Sequence, residues 1–223
     1  MTISFHPDEA TLMSYAAGAL SEPFAIIIGS HAELCPACRR SLRLLNALGG
    51  ALMAGGNEAR VEDSAIETLM SRLDASAKTE TEADGRTPPL PSAAADLPGP
   101  LARLVGGGVD AVKWRVVLPG AEDCRFTFSN ARGEHTLRFL RAGPGMAIPE
   151  HTHIGSELTM VLRGRLRDGD RTYCVGDVGD LDDAAVHTPT VEGEETCICV
   201  IAEEGPPLFT SEEMRELQKR IGI

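Results

Sequence analysis

The stretch GMAIPEHTHIGSELTMVLRG, residues 145–164, places His151, His153 and Glu157 just before an apolar run. His151 and His153 are two residues apart, so on an extended strand their side chains project from the same face. Glu157 follows four residues later, a spacing that a short turn can bring back to that face, and His187 lies further downstream. Three imidazoles and a carboxylate are a ligand set for a divalent metal that leaves room for water or a substrate.

The chain around this stretch predicts an antiparallel β domain. From about Lys113, short strand-like runs alternate with Gly, Pro, Asp and Asn, a pattern typical of a sandwich or barrel. The runs are WRVVL, CRFTF, HTLRFL, LTMVLRG, TYCV and TCICVI. The last segment, SEEMRELQKRIGI, predicts a terminal helix because Ser211 and two glutamates stand at its positive end.

Roughly the first 78 residues predict helices instead. Asp8 is a candidate N-cap for a first helix, and Ser21 for a second that has a proline in its first turn. A third helix carries leucines up to a pair of glycines, and VEDSAIETLMSRLDA predicts a fourth. Between the two parts, TETEADGRTPPLPSAAADLPGP lacks periodicity and predicts an exposed, partly extended linker.

The fold class is therefore α+β in two segregated domains, with an N-terminal helical bundle and a C-terminal antiparallel β-barrel or sandwich. The predicted boundaries are 1–85 for the helical domain, 86–109 for the linker, 110–205 for the β domain and 206–223 for a helical tail.

Charge and composition narrow the classes of function. The 223 residues carry a formal net charge of −12, which makes direct binding to nucleic acid unfavourable. A basic protein surface is a better partner, although acidity that serves only solubility is the alternative. No apolar run approaches the roughly 20 residues of a membrane span, and the N-terminus lacks the features of a signal peptide. We therefore expect a cytoplasmic location, where clustered Cys and His more often bind metal than form disulfides.

A second cluster, HAELCPAC at residues 31–38, supplies His31, Cys35 and Cys38. Pro36 predicts a helix break inside it, and the three side chains can still converge at the corner between two helices. A closed zinc site needs a fourth ligand. Within the helical domain His6 is the one other histidine, and the carboxylates of Glu33 and Asp8 are the competitors.

A redox dithiol and a pair of buried, inert cysteines are the alternatives for the CxxC motif. A redox CxxC usually follows a strand of a thioredoxin-like unit, and no strand is predicted before this one. A bundle of about 78 residues with short helices is stabilised by a bound metal. Zinc is therefore the favoured interpretation.

The segment HPDEATLMSYAAGALSEPFAIIIGSHAELCPACR resembles the zinc-binding anti-sigma domain, whose hallmark is a His followed by HxxxCxxC, with a YAAGxLSE turn between helices. The resemblance covers roughly residues 1–80. It implies zinc bound by His6, His31, Cys35 and Cys38. It also implies a protein partner, an extracytoplasmic-function (ECF) type sigma factor, whose surfaces for RNA polymerase and promoter would be blocked by the helices.

Residues 145–164 also resemble the first cupin motif, which they match at every spacing through Gly145, His151, His153, Glu157 and Gly164. The second motif is degraded. Its Gly176 and His187 are in register, but the positions that favour Pro, Gly and Asn hold Asp182, Ala184 and Val191. The resemblance implies four metal ligands, which are His151, His153, Glu157 and His187. Zinc, Fe²⁺, Mn²⁺ and Ni²⁺ all accept such a set.

The order of the two modules resembles the ChrR-type anti-sigma factors. The resemblance covers almost the whole chain and implies a regulator of transcription that releases its sigma factor on an oxidant signal. The implied signal, of the singlet oxygen or organic peroxide class, would act through the cupin domain, with a small oxidant or oxidised ligand in its site. The alternative is a metal-dependent cupin enzyme, of the dioxygenase or isomerase class, with an accessory zinc domain.

Overall fold

The computed structural model describes residues 2–56, 60–80, 96–130 and 133–221. Its N-terminal helices are α1 Glu9–Ala16, α2 Glu22–Leu34, α3 Pro36–Ala54 and α4 Ala65–Glu80. Asp8 caps α1 as predicted, since its Oδ1 accepts a hydrogen bond from the Thr11 N–H at 2.6 Å. Cys35 is the single residue between α2 and α3, which confirms the break predicted at Pro36.

The C-terminal half is an antiparallel β structure, as predicted. Its strands are β1 Arg115–Leu118, β2 Ala121–Asn130, β3 Gly133–Ala142, β4 His151–Thr152, β5 Glu157–Arg163, β6 Leu166–Asp168, β7 Arg171–Tyr173, β8 Val178–Leu181, β9 Thr190–Val191, β10 Cys197–Glu203 and β11 Leu208–Phe209. They form a six-stranded sheet of order β1-β2-β3-β10-β5-β8, a three-stranded sheet of order β7-β6-β9 and the pair β11-β4. The predicted terminal helix is present as α6, Glu212–Ile221.

The end of the predicted linker is structured, which corrects the sequence-based expectation. Residues 99–105 form helix α5, Gly99–Val105, and a short 3₁₀ helix follows at Val109–Ala111. Leu101 and Ala102 on α5 are buried, so this segment is part of the core and not an exposed connection. The prolines that suggested a loop are compatible with the first turn of a helix, where no backbone N–H is required. Residues 81–95 lie outside the described residues, and the domain boundaries remain predictions.

One hydrophobic core joins the helices to the sheet. Phe24, Ile27 and Ile28 of α2 belong to the same buried cluster as Met160 of β5 and Val200 of β10. Burying each of these side chains contributes about 1.5–3 kcal/mol to stability. The helical and β segments are thus separate along the chain but packed directly against each other.

Strand β10 is buried along its whole length because it has neighbours on both faces. Val200 faces the helices, whereas Cys199 and Ile201 belong to a different cluster on the opposite face. The two faces of one strand therefore contact α2 and the interior of the β domain.

No helix in the described parts of the chain is long and apolar enough to cross a membrane.

Candidate metal centres

The first candidate centre lies where the N-terminal segment meets the corner between α2 and α3. Its four ligand atoms, from His6, His31, Cys35 and Cys38, all lie within 4.8 Å of one another. His31 Nε2 is 3.2 Å from Cys38 Sγ, and His6 Nδ1 is 3.4 Å from the Sγ atoms of both cysteines. Donors on a tetrahedral zinc are about 3.5 Å apart, so the spacing fits that ion.

The chemistry of these side chains also suits a metal. Burial lowers the pKa of His31, so its imidazole is neutral and offers a lone pair. Burial, with the neighbouring Cys35, raises the pKa of the Cys38 thiol to about 12. Such a thiol is a poor redox nucleophile, whereas a bound cation ionises it directly. The pair of cysteines therefore fits a metal better than a reactive dithiol.

The competing carboxylates make other contacts. Glu33 Oε2 accepts a hydrogen bond from the Gly99 N–H at 2.7 Å, and Asp8 Oδ1 caps α1. His6 is the fourth side chain that the fold brings to the other three. It is exposed, while the other three are buried.

The second candidate centre is built from three histidines of the β domain, whose ring nitrogens lie within 4.8 Å of one another. His187 Nε2 is 2.9 Å from His153 Nε2 and 3.1 Å from His151 Nε2. Nitrogens that share one metal ion at about 2.1 Å lie roughly 3.0 Å apart in octahedral geometry and roughly 3.4 Å apart in tetrahedral geometry, so the spacing fits a common ion. An antiparallel bridge pairs His151 with His187, which places two distant parts of the chain side by side.

Each imidazole is oriented by a partner at its other nitrogen. His151 Nδ1 donates to the Pro149 carbonyl at 2.8 Å, and His187 Nδ1 contacts Asp168 Oδ2 at 2.8 Å. His153 Nδ1 contacts Glu157 Oε2 at 3.2 Å. These partners direct all three Nε2 atoms to the same point. Burial lowers the pKa values of His151 and His153 to about 4, which leaves both rings neutral and able to bind metal.

Glu157, the fourth predicted ligand, lies directly beside the three histidines. The fold groups three histidines, and the carboxylate of Glu157 lies against Nδ1 of His153, outside that group. Its Oε1 accepts a hydrogen bond from the Thr159 hydroxyl at 2.8 Å. Burial, reinforced by Glu203, raises the pKa of Glu157 to about 7. Both oxygens of Glu157 thus have a partner beside the three histidines, and its role as a fourth metal ligand stays a prediction.

His151 and His187 border a small cavity of about 40 Å³. That volume accommodates roughly three water molecules. Apolar side chains such as Phe209 and Ile201 line much of it, together with the guanidinium of Arg138. Arg138 Nη2 donates to Glu203 Oε1 at 2.6 Å, while its Nε has no hydrogen-bond partner within the residues described. The cavity thus combines a candidate metal position with a buried donor.

Sequence reasoning missed Asp168 and Arg138. Asp168 ends β6 in the segment LRDGDRTY, where the Asp-Gly pair is typical of a hairpin turn. In the sequence, Arg138 is one polar residue of an alternating strand. The alternation does not show whether the polar face of that strand points into a cavity or to the solvent. Only the packing of β3 against β10 shows that its side chain is buried.

Comparison with known proteins shows likeness over nearly the full chain. The family described as the ChrR Cupin-like domain matches residues 105–205. The Anti-sigma-E factor ChrR of Cereibacter sphaeroides is 35% identical over 213 residues, which cover 95% of this chain and 94% of that protein.

A solved structure agrees with that likeness. In the crystal structure of Rhodobacter sphaeroides SigE in complex with the anti-sigma ChrR, the matching chain has 32% identity and a TM-score of 0.74. The match covers 91% of this chain and 100% of that one. By the identity and coverage of these relatives, this chain belongs to the ChrR family of anti-sigma factors.

Proposed function

We propose that this protein sequesters an ECF-type sigma factor through its N-terminal helices and releases it when the cupin cavity meets an oxidant or an oxidised product. The observation that carries the proposal is the fold shared with ChrR over 91% of the chain, in a relative whose structure was solved with SigE. Three further features of the molecule support it.

The first feature is an exposed apolar surface on α3 and α4. Leu44, Leu48 and Leu52 on α3 are 74%, 57% and 70% exposed. On α4, Ile66 and Leu69 are also more than half exposed. Large apolar side chains that cluster on a surface mark sites of protein interaction. These two helices are the surface on which we place the sigma factor.

The second feature is charge. The net charge of −12 complements the basic surface by which a sigma factor contacts promoter DNA. Attraction of this kind accelerates association and weakens with added salt. Binding of the sigma factor should therefore be faster at low ionic strength.

The third feature is the cupin cavity. Zinc or another divalent metal on His151, His153 and His187 would leave coordination positions open toward the cavity. The Arg138 Nε would supply a hydrogen-bond donor for an oxygen-bearing ligand. A bound metal would act as a Lewis acid toward the oxygen atoms of a ligand. The chain itself contributes the Arg138 donor, the apolar wall of the cavity and its small volume.

Strand β10 offers a route from this cavity to the helices. Cys199 and Ile201 line the cavity, and Val200 between them packs in the cluster that contains α2. A ligand can shift the protein toward release only if it binds the released state more tightly than the sigma-bound state. A shift of β10 would change the packing of α2 and so give the two states different affinities.

The direct test is co-expression of the full chain with a sigma factor encoded beside its gene. We expect a stable one-to-one complex that elutes together on size exclusion, and dissociation when the complex is exposed to singlet oxygen or an organic peroxide. Failure to form the complex would contradict sequestration, whereas a complex that persists under oxidant would contradict the signalling step alone.

The enzyme interpretation gives a different result in a turnover assay. A dioxygenase or isomerase would convert many equivalents of an oxidisable substrate for each metal-loaded protein. The proposed sensor binds or reacts once, so product should not exceed one equivalent. Sustained turnover would favour the enzyme.

A further inference from the structure

The turn that leads into β8, residues 174–178 with Val178 as the first residue of the strand, contacts the N-terminal arm, residues 2–7. Asp177 is 1% exposed, and its Oδ1 accepts hydrogen bonds from the Ser4 and Phe5 N–H groups at 2.7 and 3.0 Å. Its Oδ2 accepts from the Cys174 N–H at 2.8 Å. One buried carboxylate therefore ties its own turn to the arm that leads directly into His6.

The same turn contacts a second candidate zinc ligand. The Gly176 carbonyl is 2.8 Å from His31 Nδ1, and a carbonyl oxygen can only accept. His31 therefore carries its proton on Nδ1 and presents the lone pair of Nε2 toward Cys38. A partner of this kind fixes both the tautomer and the ring orientation of a metal ligand.

Close packing fixes the arm against the turn. Gly176 has φ +89°, and a Cβ at this position would lie 2.9 Å from Ile3 Cδ1. The Phe5 ring lies 4.7 Å from that of Tyr173, and the Val178 N–H donates to the Phe5 carbonyl. The arm thus adds a backbone hydrogen bond and a ring contact to the end of the cupin sheet.

We propose that the 174–178 turn of the cupin domain is an integral part of the zinc centre, with Asp177 as the positioning residue for His6. This inference rests on the proposed zinc centre. The exposed His6 is positioned mainly by the arm, because Asp177 accepts hydrogen bonds from Ser4 and Phe5, the two residues just before it. Docking of the cupin turn and metal binding then stabilise each other, and by linkage the coupling is equal in both directions.

The first experiment measures metal affinity in the full-length protein with Co²⁺ as the probe. Thiolate-to-cobalt charge-transfer absorption reports the Cys-containing centre separately from the histidine centre. We expect Asp177→Ala to weaken Co²⁺ binding about 10- to 100-fold, as for other residues that orient metal ligands. Asp177→Asn keeps one acceptor oxygen for the arm, so its Co²⁺ affinity should lie between those of the wild type and Asp177→Ala.

Asp123→Asn is the matched control. Asp123 is also 1% exposed and bonds Arg115 at 3.0 Å, but it lies on β2, four strands away from β8 in the six-stranded sheet. It should lower stability without changing the cobalt affinity. Equal affinities in wild type and Asp177→Ala, or equal losses in Asp177→Ala and Asp123→Asn, would overturn the inference.

A second experiment uses wild-type protein and needs no variant to fold. Removing the metal with a chelator should raise hydrogen exchange at the Ser4, Phe5 and Val178 amides, and leave exchange at Leu140 in the sheet unchanged. Unaltered exchange at the arm would contradict the coupling. A wild-type protein that shows no cobalt–thiolate absorption would instead contradict the zinc centre itself, and the inference with it.

Discussion

The orientation of each candidate ligand depends on the group that its second ring nitrogen contacts. Asp168 contacts His187, Pro149 contacts His151, and Gly176 contacts His31. Because these partners lie far from the ligands in sequence or supply only a backbone carbonyl, residue patterns do not reveal them. The ligands themselves are more visible, since their spacing follows from strand and helix geometry.

Asp168→Asn should weaken metal binding at the histidine centre about 10- to 100-fold. The amide removes the negative charge beside His187 Nδ1 and with it the preference for the orientation that directs Nε2 to the metal. Competition with a chromogenic chelator measures the change. Asp170→Asn, an exposed neighbour in the same hairpin, is the control and should bind metal as the wild type does.

Arg138→Met should destabilise the protein by about 3–5 kcal/mol, because Glu203 then remains as a buried charge without its partner. Urea unfolding measures this loss. The double variant Arg138→Met, Glu203→Leu should recover most of it, since replacing a whole buried pair by apolar residues is often neutral. If the double variant were less stable than Arg138→Met, the unpaired charge of Glu203 would not be the cause of the lost stability.

Some helices and strands can be predicted from the local sequence pattern, whereas others depend on tertiary packing. Helices α1 to α3 follow from caps, Pro36 and apolar spacing, all of which are local. Helix α5 was missed because Pro98 and Pro100 indicate a loop, and its burial against α2 comes from distant contacts. The position of Glu157 also depends on packing, since Thr159 and His153 determine where its oxygens lie. Its role as a metal ligand stays a prediction.

Helix α3 carries the clearest prediction at this scale. Leu44→Ser with Leu48→Ser should weaken sigma factor binding about 30-fold or more, the effect of losing a hot-spot contact of at least 2 kcal/mol. Both side chains are exposed, so stability should change little. Binding is measured by titration calorimetry with the purified sigma factor.

The control for α3 is Val116→Ser on β1. Val116 is 69% exposed and apolar, but it lies on the cupin domain. It should leave sigma factor binding unchanged. Equal effects of the two changes would show that exposed apolar area in general, and not α3, determines affinity.

At the scale of the whole molecule, the two segments share one core. Cys35 and Cys38 belong to the same buried cluster as Met160 and Val200 of the sheet. The sequence predicted both segments and their classes, because each has its own hydrophobic period. It did not predict their contact, since the residues that form it look like ordinary core residues of either segment.

Changes at the two centres should nevertheless have different effects. His6→Ala, Cys35→Ala or Cys38→Ala should lower zinc content and sigma factor binding together, because site and local fold are coupled. His151→Ala or Glu157→Ala should leave sigma factor binding intact and reduce the release caused by oxidant. Metal analysis and co-purification measure both effects, and equal loss of binding from the two sets would contradict this division.

Transcription in vitro tests the central claim most directly. Purified RNA polymerase and the sigma factor encoded beside this gene transcribe a cognate promoter, and the metal-loaded full chain is added in increasing amounts. We predict complete inhibition near one equivalent, relief on exposure to oxidant, and no inhibition by Cys38→Ala. Undiminished transcription at a large excess of the wild-type chain would contradict its function as an anti-sigma factor.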